Sequence, residues 1–186
     1  MSTTFPPPPG HTWSLGLASQ LNLQTLPRHA DQVLIAAGIY QGIFAIGSPL
    51  LSKQLLPTQY AALSPRTRAN WDSRLVGFLQ AGFICYQALN VIATDPLRAN
   101  STVQSRLWGY SPATGRVQAF AAGYFLWDIY LSGRFYDTFG PTSLVHAVSA
   151  FAITMIGFVS TPGLYLRLIQ KLMISLFSDL LRITTA

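Results

Sequence analysis

Four stretches of the chain are apolar over a length close to that of a membrane-spanning helix. They cover residues 32–51, 75–94, 117–133 and 142–159. A helix needs about 20 apolar residues to cross a bilayer, so each stretch predicts one span. Short polar segments separate the stretches, so consecutive spans must reverse direction. We therefore predict an all-α, polytopic membrane bundle with four spanning helices.

The two ends of the chain have different patterns. Residues 1–29 hold four consecutive prolines among scattered polar side chains, which favours an extended, disordered tail. Between Leu164 and Arg182, polar side chains recur every three or four positions. This spacing is typical of an amphipathic helix lying among the headgroups, with a spanning or protein-packed helix as the alternative. The predicted organisation is a tail (1–29), a transmembrane domain (30–160) and an amphipathic or partial C-terminal helix (161–186).

Charge is scarce in this chain. Half of its 186 residues are hydrophobic and 10% are charged, whereas a typical soluble domain has about 25% charged residues. The net charge is +6, but the basic residues lie at the ends of the apolar stretches, which favours headgroup anchoring over nucleic-acid binding. Cys85 is the single cysteine and the three histidines are far apart in sequence, so no metal site and no cofactor is predicted.

Basic residues also orient the predicted spans. The loop between the first two stretches holds Lys53, Arg66, Arg68 and Arg74, and it is the most basic of the short loops. Short cytoplasmic loops of membrane proteins are enriched in Lys and Arg. We therefore place this loop in the cytosol and the N-terminus in the lumen.

Asp128 and His146 are ionisable residues inside the third and fourth stretches. Such groups at membrane depth usually belong to a functional site or to a buried structural pair. Counting from the helix ends that share one membrane face places both of them, and Gln80, roughly 6 to 9 Å inside that face. Tyr124 lies on the helical stripe of Asp128, and Gln87 on that of Gln80. We expect these polar side chains to face a common interior.

Two interpretations of this layer stay open. In the first, Asp128 orients and charges His146, which acts as a general base, while Gln80 or Tyr124 positions a polar lipid group. In the second, an Asp128–His146 hydrogen bond only locks the third and fourth helices together. The predicted lipid-binding residues are Gln80, Tyr124, Asp128, His146 and Gln87. Asp128 and His146 are predicted to be catalytic only if the protein is an enzyme.

Three short segments carry a family resemblance. Residues 71–80 read WDSRLVGFLQ, residues 123–128 read GYFLWD, and residues 144–147 read LVHA. In this order they resemble the W-x-x-R-x-x-S-x-x-H opening, the G-Y-F/L-x-x-D segment and the frequent paired histidines of the TLC domain family. The resemblance covers about residues 30 to 160. It implies a multi-helix protein of the endoplasmic reticulum or a related membrane.

Departures from the family pattern bear on function. Gln80 stands where the first motif has histidine, Gly77 where it has serine, and Ala147 follows the single His146. The longer acidic motif of the family's ceramide synthases is absent. The resemblance thus points to the non-synthase branch, a protein of lipid homeostasis that binds or senses a membrane lipid within its bundle. The alternative is an acyl-CoA-dependent N-acyltransferase acting on a sphingoid base. No oligomeric state is predicted.

Overall fold

The described part of the chain is helical throughout. The computed structural model describes residue 16 and residues 25–96 and 111–158, and no strand occurs within these ranges, which confirms the all-α class. Most of the predicted tail and the whole predicted C-terminal helix lie outside them. After a 3-10 turn at Leu26–Arg28, the helices are α1 (Ala30–Leu55), α2 (Pro57–Ala62), α3 (Pro65–Thr94), α4 (Pro112–Arg134) and α5 (Tyr136–Ile156).

Helix α1 contains a wide turn. Its regular parts, Ala30–Gly42 and Ser48–Leu55, are joined by a π-helical segment, Ile43–Gly47. Pro49 has no amide hydrogen, and its ring crowds the carbonyl group four residues earlier, so the regular hydrogen-bond ladder cannot pass through this turn unchanged. A π turn absorbs such a defect without ending the helix. As a result α1 continues over 26 residues.

Helices α3 and α4 begin with the same capping pattern, a serine followed by a proline. The side chain of Ser64 accepts a hydrogen bond from the amide of Thr67 at 3.2 Å. The side chain of Ser111 accepts one from the amide of Thr114 at 3.1 Å. Serine caps and proline at the first helical position both favour helix initiation. The cap explains why α3 begins well before the predicted span at Leu75.

Helix α5 bends near its start. Gly140 has φ 74° and ψ 176°, and Pro141 follows it. Glycine adopts such a positive φ without steric cost, and the residue before a proline is disfavoured in the helical conformation. The bend separates a first turn, residues 136–139, from the longer part of α5. The longer part begins next to the predicted fourth span at residue 142.

Helix α4 is the centre of the described bundle, and it packs most extensively on α1 and α5. Ala119 and Ala122 are fully buried. A Cβ atom added to Gly123 would lie only 2.6 Å from the carbonyl oxygen of Val33 and 2.5 Å from the Cβ of Ala36. Small residues let helix backbones approach this closely in membrane proteins. The α1–α4 contact therefore depends on residues that have almost no side chain.

Polar side chains tie α1 to both of its neighbours. The Tyr40 hydroxyl donates a hydrogen bond to the side-chain oxygen of Gln80 on α3. On α4, Trp127 Nε1 donates to Gln41 Oε1 at 3.1 Å. The Tyr40 and Trp127 rings also contact each other, with centroids 6.3 Å apart. Because an unpaired polar group is costly in apolar surroundings, these bonds help to fix how the helices align.

Three of the described helices, α1, α3 and α5, are long and apolar enough to cross a membrane. Helix α4 has sufficient length, but Gln118, Tyr124 and Asp128 lower its hydropathy. Since α4 packs between α1 and α5, its polar residues need not meet lipid. The predicted all-α class is confirmed. The count of four spans stays a prediction.

We expect Gly123→Ala to destabilise the bundle, because the new methyl group would press on the Val33 carbonyl and on Ala36. Overpacking of this kind costs about 1–3 kcal/mol. Gly38→Ala on α1 is the matched control, since nothing lies within 4 Å of a Cβ atom there. Unfolding by SDS in mixed micelles measures both variants, and equal stability would contradict the close approach.

Candidate functional site

A cavity of about 550 Å³ opens between α3, α4 and α5. It lies where α3 begins, α4 ends and α5 begins, at the membrane face where the sequence placed the polar layer. Its lining combines a guanidinium, a carboxylate, an imidazole, several hydroxyls and three aromatic rings. The lining residues are Asn70, Ser73, Arg74, Gly77, Tyr124, Trp127, Asp128, Leu131, Ser132, Phe139, Thr142, Ser143 and His146.

Three of the predicted site residues line this cavity. Tyr124 and Asp128 reach it from α4 and His146 from α5. Asp128 is half-buried and His146 is exposed. No hydrogen bond joins the two within the part of the chain that the structure describes. The His146 ring instead meets Phe125 edge to face, with centroids 6.5 Å apart. The pairing of Asp128 with His146 stays a prediction.

The two predicted glutamines lie outside the cavity. Gln80 is buried, and its side-chain oxygen accepts the hydrogen bond from Tyr40. Gln87 lies about two turns further along α3 and is half-buried. Gln80 therefore joins α1 to α3, in place of the histidine in the resembled motif. Its partner is 40 positions away in sequence.

Helices α3 and α4 run antiparallel along the cavity. The Phe83 ring on α3 meets Phe120 on α4, with centroids 5.1 Å apart. Nearer the cavity, a Cβ atom on Gly77 would lie 3.2 Å from the hydroxyl oxygen of Tyr124. A serine at this position, as in the resembled motif, would crowd that hydroxyl. Gly77 thus leaves room for Tyr124 in the cavity wall.

The interhelix contacts also show which residues share one level. Arg74 on α3 and Asp128 on α4 each lie about one turn from the Gly77–Tyr124 contact, on the side of the cavity mouth. By the same reasoning, the contact of His146 with α4 places Ser143, about one turn earlier on α5, level with Asp128. A cation, an anion and a hydroxyl therefore come from three helices to one layer.

Basic side chains surround the mouth. Arg74 Nε donates a hydrogen bond to Asn70 Oδ1 at 2.8 Å, and both residues line the cavity. Lys53, Arg66 and Arg134 are exposed at the same end of the bundle, where they outnumber the exposed Asp137. The surface around the opening is consequently electropositive, whereas the carboxylate of Asp128 lies inside.

A buried polar cluster next to the cavity was not predicted from the sequence. Asp72 is 5% exposed and accepts hydrogen bonds from Ser48 Oγ at 2.5 Å and from the Tyr60 hydroxyl at 2.9 Å. The Arg68 guanidinium lies 5.0 Å from the centre of the Tyr60 ring and donates to the backbone carbonyls of Tyr60 and Ala61. The cluster joins α1, α2 and α3. The available signal was an aspartate within a basic loop, which suggests an ion pair rather than hydroxyl donors.

Comparison with known protein families identifies the family of this chain. The TLC domain matches residues 70–179. The chain belongs to the TLC domain family. Every residue that lines the cavity lies within the matched range. Together with the apolar helices, membership makes this TLC protein a membrane protein.

Two curated proteins are similar to this TLC protein over most of its length. An uncharacterised TLC domain-containing protein of Schizosaccharomyces pombe is 36% identical over 142 residues, 73% of this chain and 44% of its own length. The topoisomerase I damage affected protein 4 of Saccharomyces cerevisiae is 21% identical over 129 residues, 69% of this chain and 44% of its own. The chain thus spans less than half the length of either relative. No solved structure matches it.

Tyr60→Phe should destabilise the protein. Without the hydroxyl, one carboxylate oxygen of Asp72 loses its donor in a buried cluster, which costs about 1–3 kcal/mol. Tyr86→Phe is the control, because Tyr86 is exposed on α3. SDS unfolding at neutral pH measures the loss, and an unchanged midpoint in Tyr60→Phe would show that the hydrogen bond contributes nothing.

The stability difference between wild type and Tyr60→Phe should also depend on pH. Burial, aided by the hydrogen bond to Asp72 and opposed by Arg68, raises the pKa of Tyr60 from 10.0 to about 12. A group whose pKa is higher in the folded state contributes stability that is complete below its unfolded pKa and is lost as the pH rises through the folded pKa. We expect the stability difference between wild type and Tyr60→Phe to shrink from pH 10 to 12. A stability difference that stays constant over this pH range would contradict the raised pKa of Tyr60.

Proposed function

We propose that this TLC protein acts in lipid homeostasis by binding or sensing a membrane lipid, whose polar part lies in the cavity between α3, α4 and α5. The cavity itself carries the proposal, because it gathers polar groups from three helices at one end of an otherwise apolar bundle. Ligand pockets typically have volumes of about 300–1,000 Å³ and a few convergent polar groups. A volume of about 550 Å³ lies within that range.

The apolar outer surface of α3, which forms one wall of the cavity, favours a lipid ligand over a water-soluble one. Helix α3 exposes large apolar side chains, among them Phe78, Leu89 and Ile92. In a bilayer these side chains meet acyl chains. A lipid whose headgroup enters the cavity could therefore keep its chains against α3, in the hydrocarbon layer.

The cellular part of the proposal rests on family resemblance. The TLC motifs imply residence in the endoplasmic reticulum or a related membrane, and the incomplete synthase motifs favour a non-enzymatic role. Coincidence of a tagged full chain with a marker of the endoplasmic reticulum tests the location. Staining of another organelle would contradict it.

The acyl-CoA-dependent N-acyltransferase remains the alternative, since Asp128 and His146 line one cavity, as an acid–base pair of an enzyme must. Microsomes that contain the protein can be supplied with an acyl-CoA and a sphingoid base. Our proposal expects no product above background. Product that appears with the wild type and vanishes with His146→Ala would establish the enzyme instead.

Filling the cavity should block lipid capture. Ser143 lines the cavity, whereas Val145, on the same turn of α5, is exposed. Cells fed a photoactivatable, clickable fatty acid incorporate it into their lipids, and ultraviolet light then crosslinks bound lipid to the protein. We expect Ser143→Trp to reduce this labelling about tenfold, equivalent to about 1.4 kcal/mol of binding. Val145→Trp should leave it unchanged. Equal labelling of both variants would place the lipid elsewhere.

A further inference from the structure

Arg74 and Asp128 carry opposite charges on facing walls of the cavity. They share one level, yet no salt bridge joins them in the ranges that the structure describes. A carboxylate at membrane depth, such as that of Asp128, is stabilised by a partner of opposite charge. A ligand that carries both a negative and a positive group would satisfy the two side chains at once.

Arg74 has the features of a phosphate site. The bond from its Nε to Asn70 Oδ1 holds the guanidinium in place. Its two terminal nitrogens make no hydrogen bond to any described residue. A guanidinium recognises phosphate with two parallel hydrogen bonds from such nitrogens, and its planar shape makes it better suited than an ammonium group.

Asp128 has the features of a cation site. Its carboxylate makes no hydrogen bond within the described ranges and faces the cavity from α4, where His146 on α5 lies within electrostatic range of it. The aromatic rings of Tyr124 and Trp127 line the same wall. A carboxylate accepts hydrogen bonds from a primary ammonium, and aromatic faces attract a quaternary one. Either type of amine can therefore be held at this position.

We infer that the cavity selects the headgroup of a zwitterionic phospholipid, with its phosphate at Arg74 and its amine at Asp128. This inference rests on the proposed lipid-binding function and names the class of lipid. The exposed Lys53 and Arg66 attract anionic lipids to this end of the bundle in general. Asp128 supplies the discrimination. Both classes carry the phosphate, but an anionic headgroup has no amine, so the repulsion between its phosphate and the Asp128 carboxylate stays uncompensated.

Photoactivatable lipids with identical acyl chains test the inference on the full chain reconstituted in liposomes. The probes are phosphatidylcholine and phosphatidylethanolamine (zwitterionic), phosphatidylglycerol (anionic) and diacylglycerol (uncharged). For the wild type, we expect at least one zwitterionic probe to be captured about tenfold more than the other two classes, a factor typical of one charge-assisted hydrogen bond. Capture of all classes alike, or a preference for phosphatidylglycerol, would overturn the inference.

Two variants that remove one charge each separate selection from general stability. Asp128→Asn should raise capture of phosphatidylglycerol until the preference for the zwitterionic probes is lost, because Arg74 remains. Arg74→Gln should lower capture of the zwitterionic probes about tenfold. Asp137→Asn and Arg66→Gln are the matched controls, since both residues are exposed and neither lines the cavity. The controls should keep the wild-type ratio.

The outcomes distinguish this inference from the function on which it rests. If Asp128→Asn leaves the ratio between lipid classes unchanged, the zwitterion assignment is wrong while lipid binding stands. If the wild type captures none of the probes and labelling in cells is also insensitive to Ser143→Trp, the proposed function fails together with the inference. The unfolding midpoint of each variant in SDS shows that it is folded before capture is compared.

Discussion

The close contact between α1 and α4 is the constraint on which the rest of the bundle depends. Gly123 has no side chain, so the backbone of α4 reaches the Val33 carbonyl and Ala36 at a separation that no larger residue permits. With α4 held there, Trp127 can reach Gln41, and α5 packs on the other side of α4. The polar residues of α4 are thereby kept within the protein, which is how a helix of low hydropathy can occupy the centre of a membrane bundle.

The cavity follows from the way α3 is attached. At its beginning, α3 is bonded to α1 through Asp72 and Ser48, whereas it meets α4 further along, at Gly77 and Phe83. The cavity lies beside these attachments, between the beginning of α3, the end of α4 and the beginning of α5. The donors to Asp72 are the hydroxyls of Ser48 and Tyr60, so within the described ranges no basic side chain of the first loop is hydrogen-bonded to it. The cavity and the exposed basic side chains therefore lie at the same membrane face. Gly77, which stands where the family motif has serine, leaves room in the cavity wall for the Tyr124 side chain.

Hydropathy and helical periodicity were sufficient to predict the helical class. A short turn makes the third and fourth predicted spans neighbours, and this favoured placing Asp128 and His146 near each other; both line the cavity. Periodicity could not show that Gln80 accepts a hydrogen bond from Tyr40, because a polar stripe on α3 does not indicate which neighbouring helix it faces. The early start of α3 has a local signal, the Ser64 cap, but a search for apolar windows overlooks it. The Asp72 cluster needed tertiary information, because its donors come from α1 and α2.

The break at Gly140 separates two parts of one helix. Pro141 supplies no amide hydrogen and Gly140 is not helical, so no continuous backbone ladder transmits the orientation of the membrane-embedded part of α5 to residues 136–139. Their position depends instead on local contacts. The amides of Thr138 and Phe139 donate to the carbonyl oxygen of Phe135, Ser143 Oγ donates to the carbonyl oxygen of Phe139 across the bend, and the Phe135 and Phe139 rings lie with centroids 6.4 Å apart. Since Phe139 also lines the cavity, the contacts that place this turn also place one part of the cavity wall. Evolution can therefore reshape the rim without altering the transmembrane segment that it adjoins.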